Sequence, residues 1–372
     1  MRVENVNIDI IRQTANRLDT PSLSKFPKLH EWIEGTRFPT FNQLKALANT
    51  AKIPFGYFFL EDLPKQDYPL VHYRTQDDRP FNPSQELLDT IYIVQQRQDW
   101  ARSLLTENGF GRLYFAGAAK NNYNIEFGVT LIRDILNLPD YWAQYQINWT
   151  EALRNLISRT EDAGIFVVMN GTVGNNTKRT LNTNEFRGFV LFDEIAPFVF
   201  INGKDSISGK IFTLIHEIAH IIIGQSASFD LQQLLSSDEK TERYCNEVTA
   251  EFLVPRRMLL EAVNDFGHDD IYHLAKLFKV SEIVVARRLL DTKIINKQTY
   301  FDFYNDYIRR VESIPKAKGG NYYLSAPYKI SRRFFNLIHQ SLQQGRVLYT
   351  DAFRLTGLNS NTYDRYLTEQ GS

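Results

Sequence analysis

The sequence predicts an α+β protein that is predominantly helical. Two observations carry that prediction. Apolar residues recur at helical spacing through much of the 372 residues, and three short apolar runs, 165–169, 187–193 and 197–202, read as strands of one small sheet. The sheet is expected to lean on an apolar helix over 211–223. The chain is long enough for two or three domains. Apolar residues make up 43% of it, enough for a substantial core. Lys plus Arg and Asp plus Glu balance at 43 each, so net charge predicts no partner. The single cysteine, Cys245, excludes an intramolecular disulfide and fits a reducing compartment. No leader-like apolar segment opens the chain, and no run reaches membrane-spanning length. The expectation is a cytoplasmic protein with no membrane partner.

The elements follow in order. Ile8, Ile11, Ala15 and Leu18 share one face of a first helix. Trp32, Gly35, Pro39 and Thr40 mark a turn, and Leu44, Leu47 and Ala48 a following helix. This stretch resembles the back half of a Cro/repressor-type helix-turn-helix domain. The front half departs from that pattern, because Pro21 and Pro27 fall where two helices should run, and proline inside a helix costs about 3 kcal/mol. Residues 1–70 carry nine basic and eight acidic side chains, unlike a DNA-reading face. Residues 1–62 are therefore expected to be a degenerate repressor-like domain, followed by a linker over 63–83. Leu87, Leu88, Ile91, Val94, Trp100, Leu104 and Leu105 predict one long helix over 84–108, and further helices fall within 128–160.

Residues 211–223 contain His216-Glu217-Ile218-Ala219-His220, an H-E-x-x-H motif. Positions four apart lie one turn apart on one helix face, so both imidazoles can point at one metal ion. Glu217, next round the helix, is placed to take a proton from water. These residue types at this spacing point to zinc hydrolase chemistry. Gly224 supplies a stop for the helix. A catalytic zinc site needs three protein ligands and one open position. The extended motif with a third histidine just downstream is absent, since Ile223 and Ser226 stand where its glycine and histidine would be. The third ligand is expected from a helix within 239–255, where Glu239, Glu242, Glu247 and Glu251 are the candidates.

The stretch Glu242-Arg-Tyr-Cys-Asn246-Glu-Val-Thr-Ala250-Glu-Phe-Leu253-Val-Pro255 resembles the E-x-x-A-N-x-F-A-x-x-L-L-x-P signature of the ImmA/IrrE metallopeptidases. Upstream, Arg187-Gly-Phe-Val-Leu and Pro197-Phe-Val-Phe-Ile-Asn202 resemble the strand pair that leads into that family's H-E-x-x-H helix. The resemblance covers about 163–255. Cys245, Val248, Thr249 and Phe252 depart from the pattern at packing positions. It implies a zincin-like core in which His216, His220 and Glu242 bind Zn²⁺ and Glu217 is the general base. It also implies a protein substrate, a repressor or antitoxin cut in a stress, phage or toxin–antitoxin response, or a cognate toxin as partner. The rival reading is a non-proteolytic regulator or antitoxin that binds DNA or a toxin through its helical segments.

The peptidase-like core is expected to span 84–308. It continues with a helix over 256–264 and a helix–turn–helix over 271–290, turning at Lys279–Ser281 with Ser281 as N-cap. The last segment, 309–372, carries ten basic and four acidic residues, a net +6 in a neutral chain. Residues 350–367 have helix–turn–helix spacing with Gly357 at the turn, and Gly319-Gly320 reads as a loop before them. This basic tail is the candidate nucleic-acid surface, centred on Arg332, Arg333, Arg346 and Arg354.

Overall fold

The computed structural model describes residues 2–16, 18, 23–51, 55–61, 83–229, 240–313 and 328–370. Most of the expected linker, Pro21, Glu239 and the Gly319-Gly320 loop lie outside the described residues. The chain forms two compact units, Met1–Tyr68 and Pro69–Ser372.

The first unit holds α1 (Ile8–Ala15), α2 (Leu29–Ile33), α3 (Phe41–Ala51) and a 3₁₀ turn at Phe55–Phe59. The Asn7 side chain caps α1 by accepting from the Asp9 and Ile10 amides. Ile10, Ile11, Trp32, Leu44, Leu47 and Phe58 form its buried centre. Helix α2 has only five residues. Gly35 follows it at φ +71°, a left-handed turn position suited to glycine.

The second unit is α+β and mostly helical, as the sequence predicts. It opens with α4 (Gln85–Glu107), α5 (Ile125–Leu136) and α6 (Trp149–Asp162). Strand β1 (Phe166–Asn170) and a hairpin of β2 (Thr172–Val173) and β3 (Asn176–Thr180) follow. Then come β4 (Gly188–Leu191), β5 (Phe198–Asn202), α7 (Ile207–Ile223) and β6 (Ala227–Phe229). The remaining helices are α8 (Lys240–Leu253), α9 (Arg256–Phe266), α10 (Ile271–Phe278), α11 (Glu282–Asp291), α12 (Lys297–Ser313), α13 (Arg332–Gln343), α14 (Tyr349–Thr356) and α15 (Ser360–Gln370).

The main sheet has the order β1-β5-β4-β6, with β1 and β5 parallel and the other pairs antiparallel. Every residue of β1, β4 and β5 is buried, so helices cover both faces of the sheet. The alternation of side chains divides the two faces by chemistry. Val167, Met169, Val190, Val199 and Ile201 join the core built by α5, α6, α7 and α8. Phe166, Phe189, Phe198 and Phe200 join a second core with α4 and the C-terminal helices. The aromatic face is tightly organised. Phe166 stacks on Phe198 at 4.5 Å, Phe189 stacks on Phe200 at 5.0 Å, and Phe334 of α13 meets Phe198 edge-on at 5.7 Å.

Buried polar contacts fasten the C-terminal helices to this frame. Arg97 of α4 donates to the Leu355 and Thr356 carbonyls at 3.0 and 3.2 Å. The Ser331 hydroxyl donates to the Glu161 carboxylate at 2.5 Å. The expected turn between α10 and α11 is present, with Lys279 at φ 56° and the Ser281 side chain accepting from the Val284 amide. Gly357, at φ +72°, terminates α14 before α15 begins. No helix among the described residues is long and apolar enough to cross a membrane.

Candidate metal centre

Helix α7 starts at Ser206, whose hydroxyl accepts from the Gly209 amide, and stops at Gly224 in a left-handed conformation, φ +83°. Between them every residue from Ile211 to Ile223 is buried. One face packs on the sheet and another on α8, which brings the H-E-x-x-H side chains against a second helix. The Nε2 atoms of His216 and His220 lie 3.0 Å apart. Glu242, in the first turn of α8, places Oε2 3.4 Å from His216 Nε2 and Oε1 3.2 Å from His220 Nε2. The ligand atoms of these three residues all lie within 4.8 Å of one another.

This donor set fits a divalent ion. A tetrahedral site with arms of about 2.1 Å separates neighbouring donors by about 3.4 Å, close to the spacings here. Two imidazole nitrogens and a carboxylate packed this closely, and buried, need positive charge between them. The electrostatics agree. Burial raises the Glu242 carboxyl, but His220 and His216 outweigh it and hold the group well below the usual carboxylate range. Burial pulls His220 down, yet Cys245 and Glu242 override it and leave the imidazole well above its ordinary value. His216 stays lowered by burial, only partly offset by Glu242.

Glu217 stands apart from the three donors. It is fully buried, and among the described residues neither of its carboxylate oxygens has a hydrogen-bond partner. Burial pushes its carboxyl well above the usual range; His220 opposes the shift and Glu242 adds to it. It shares a helix with the histidines but leaves the donor cluster to Glu242.

Among the candidate carboxylates in the described residues, only Glu242 reaches the histidines. Glu247 is exposed on the far side of α8. Glu251 pairs with Arg288 and accepts from the Arg256 amide at 3.0 Å. Cys245 is fully buried and lies against the His220 imidazole.

Two contributors were not assigned a role by the sequence. The Asn246 side chain lies close enough to His216 to oppose the lowering of its pKa by burial. It lies one turn after Glu242, a spacing that already placed both on one face of α8. Gly188 in β4 faces α7, where a Cβ would lie 2.8 Å from the Phe200 carbonyl and 3.5 Å from Glu217 Oε1. Alternation along the strand puts it on the aliphatic face, but only the packed structure shows why no side chain fits.

Two family models match the chain. Residues 160–290 match the IrrE N-terminal-like domain of peptidase family M78. Residues 330–369 match a domain of unknown function (DUF8813). No curated protein matches the chain. The first match takes in the whole sheet and all four side chains of the centre, from β1 to α11, and it supports an ImmA/IrrE-type metallopeptidase family for that segment.

Proposed function

We propose that the chain is a zinc-dependent endopeptidase that cuts a regulatory protein, a repressor or antitoxin, in a stress, phage or toxin–antitoxin response. The observation that carries the reading is the closed triangle of His216, His220 and Glu242 with Glu217 beside it. His216, His220 and Glu242 hold the ion. When bound, Zn²⁺ supplies Lewis-acid polarisation of a peptide carbonyl and of water. Glu217 accepts the proton of the attacking water on a carboxylate oxygen and returns it to the leaving amine. Asn246 lies beside His216, where a polar group can help to hold a metal-bound imidazole.

The full burial of His216, Glu217 and His220 favours one alternative, a non-proteolytic regulator in which the ion only staples α7 to α8. That alternative gives Glu217 nothing to do. The zinc-loaded chain incubated with the protein encoded beside it separates the two. Peptidase function requires cleavage by the wild type and its loss in Glu217→Gln at equal zinc content. An intact partner with the zinc-loaded wild type, or equal cleavage by both chains, would overturn the peptidase reading.

A further inference from the structure

On the sheet face away from α7, the second unit contains a cleft of about 610 Å³. Its walls are the β2–β3 hairpin, the Lys329–Ile330 segment and the turn between α14 and α15. The volume lies in the range of small-molecule sites. Three cationic side chains line it, Lys329, Arg354 and Arg365, and no Asp or Glu does so among the described residues. Asn175, Asn359 and Thr362 add neutral hydrogen-bonding groups. Phe353 and Leu358 form an apolar floor. The frame is fixed, because the Asn175 side chain donates to the Gly357 carbonyl at 2.6 Å and ties the hairpin to the α14–α15 turn.

The distribution of positive charge over the C-terminal segment points the same way. Arg332 pairs with Asp162 at 3.0 Å and reaches Glu161 at 3.6 Å. Arg333 lies over the Phe166 ring at 5.4 Å. Arg346 donates to the Asn108 side chain at 2.7 Å. These three arginines hold the helices to the rest of the unit. Arg354 has Asp351 at 3.2 Å within its own helix, but its side chain is 77% exposed, and so weak a surface pair leaves it available. Three cations of the segment, Lys329, Arg354 and Arg365, thus line one bounded cleft.

We propose that this cleft binds a small phosphorylated molecule of about mononucleotide size. The phosphate would be held by Lys329, Arg354 and Arg365, and the remainder would rest on Phe353 and Leu358. Arginine and lysine side chains match the charge and oxygen geometry of a phosphate group, while an apolar floor gives a neutral moiety a place to bury. This site is separate from the metal centre and does not depend on peptidase activity.

Calorimetric titration of the full chain tests it, with adenosine monophosphate and inorganic phosphate as probes and adenosine as the uncharged control. The monophosphate is expected to bind, inorganic phosphate to bind more weakly, and adenosine to bind least. Lys329→Ala with Arg365→Ala should weaken the monophosphate at least tenfold, whereas Arg346→Gln should leave it unchanged. Thr362→Trp, which fills the cleft and keeps its charges, should also abolish binding and serves if the double variant misfolds. No heat from either phosphate with the wild type, or affinity unaltered by a folded cleft variant, would overturn the proposal. Adenosine binding as tightly as its monophosphate would refute the charge assignment. A twelve-residue oligonucleotide binding more tightly than the monophosphate, through the same residues, would give the surface to nucleic acid instead.

Discussion

Gly188 and Glu217 meet across the sheet–helix interface with no room for a side chain between them. A Cβ at Gly188 would sit 3.5 Å from Glu217 Oε1 and 2.8 Å from the Phe200 carbonyl, with the Thr213 methyl group closer still. The bare backbone of β4 lets α7 approach the sheet and sets the depth at which Glu217 lies. Gly188→Ala should therefore lower stability by about 1–3 kcal/mol through overpacking. Thr213→Ser, which removes the crowded methyl, should recover part of that loss. Denaturant melts measure both, and an unchanged midpoint for Gly188→Ala would show that the helix does not need this close approach.

Metal content tests the roles within the centre. The wild type should hold about one zinc per chain, and His220→Ala and Glu242→Ala should each lose most of it. Glu217→Gln should retain the ion. Asn246→Ala should weaken affinity by about 10–100-fold, the usual cost of removing a polar group that supports a metal ligand. Elemental analysis after dialysis reads all four. A Glu217→Gln chain as empty as His220→Ala would make Glu217 a ligand, and full zinc in Glu242→Ala would remove Glu242 from the shell.

The Glu161 carboxyl is pushed up to about 7 by burial, against the Ser331 hydrogen bond and Arg332, which pull it down. An acid whose folded pKa exceeds its unfolded value stabilises the protein fully below the unfolded value near 4.5. That stability is lost as pH rises through about 7. The loss amounts to about 3 kcal/mol for this one group. Glu161→Gln does not titrate and can still accept from Ser331, so its stability relative to wild type should rise between pH 5 and pH 8. Urea melts across that range provide the check; parallel profiles for the two chains would remove Glu161 as the titrating group.

Phe334 is the point at which α13 grips the aromatic face of the sheet, meeting Phe166, Phe198 and Trp100. Phe334→Ala should cost about 3–5 kcal/mol. The zinc content of the folded fraction should be unaltered, because the candidate metal centre lies on the other face. Thermal melts with parallel metal analysis measure this, and a loss smaller than about 1 kcal/mol would mean that the aromatic face does not depend on α13.

The chain order of residues alone determined the helix that carries His216, Glu217 and His220. It also determined that helix's stop at Gly224, the three apolar strands, the Ser281 cap and the turn at Gly357. Each depends on a local pattern: a four-residue spacing, a run of apolar side chains, a capping hydroxyl or a glycine able to adopt positive φ. The third carboxylate was different. Spacing left four glutamates open and only the family resemblance favoured Glu242. Its place 3.2 Å from His220 depends on how α8 crosses α7, a relation between segments that no local pattern encodes. The same holds for the basic tail. Its net +6 was legible, but the contacts of Arg332, Arg333 and Arg346 with Asp162, Phe166 and Asn108 join positions more than 160 residues apart. Charge counted along a chain does not reveal which cations are taken up by packing and which still face a cleft. That was decided when both faces of the sheet were covered, because burial and pairing distances exist only in the assembled tertiary structure.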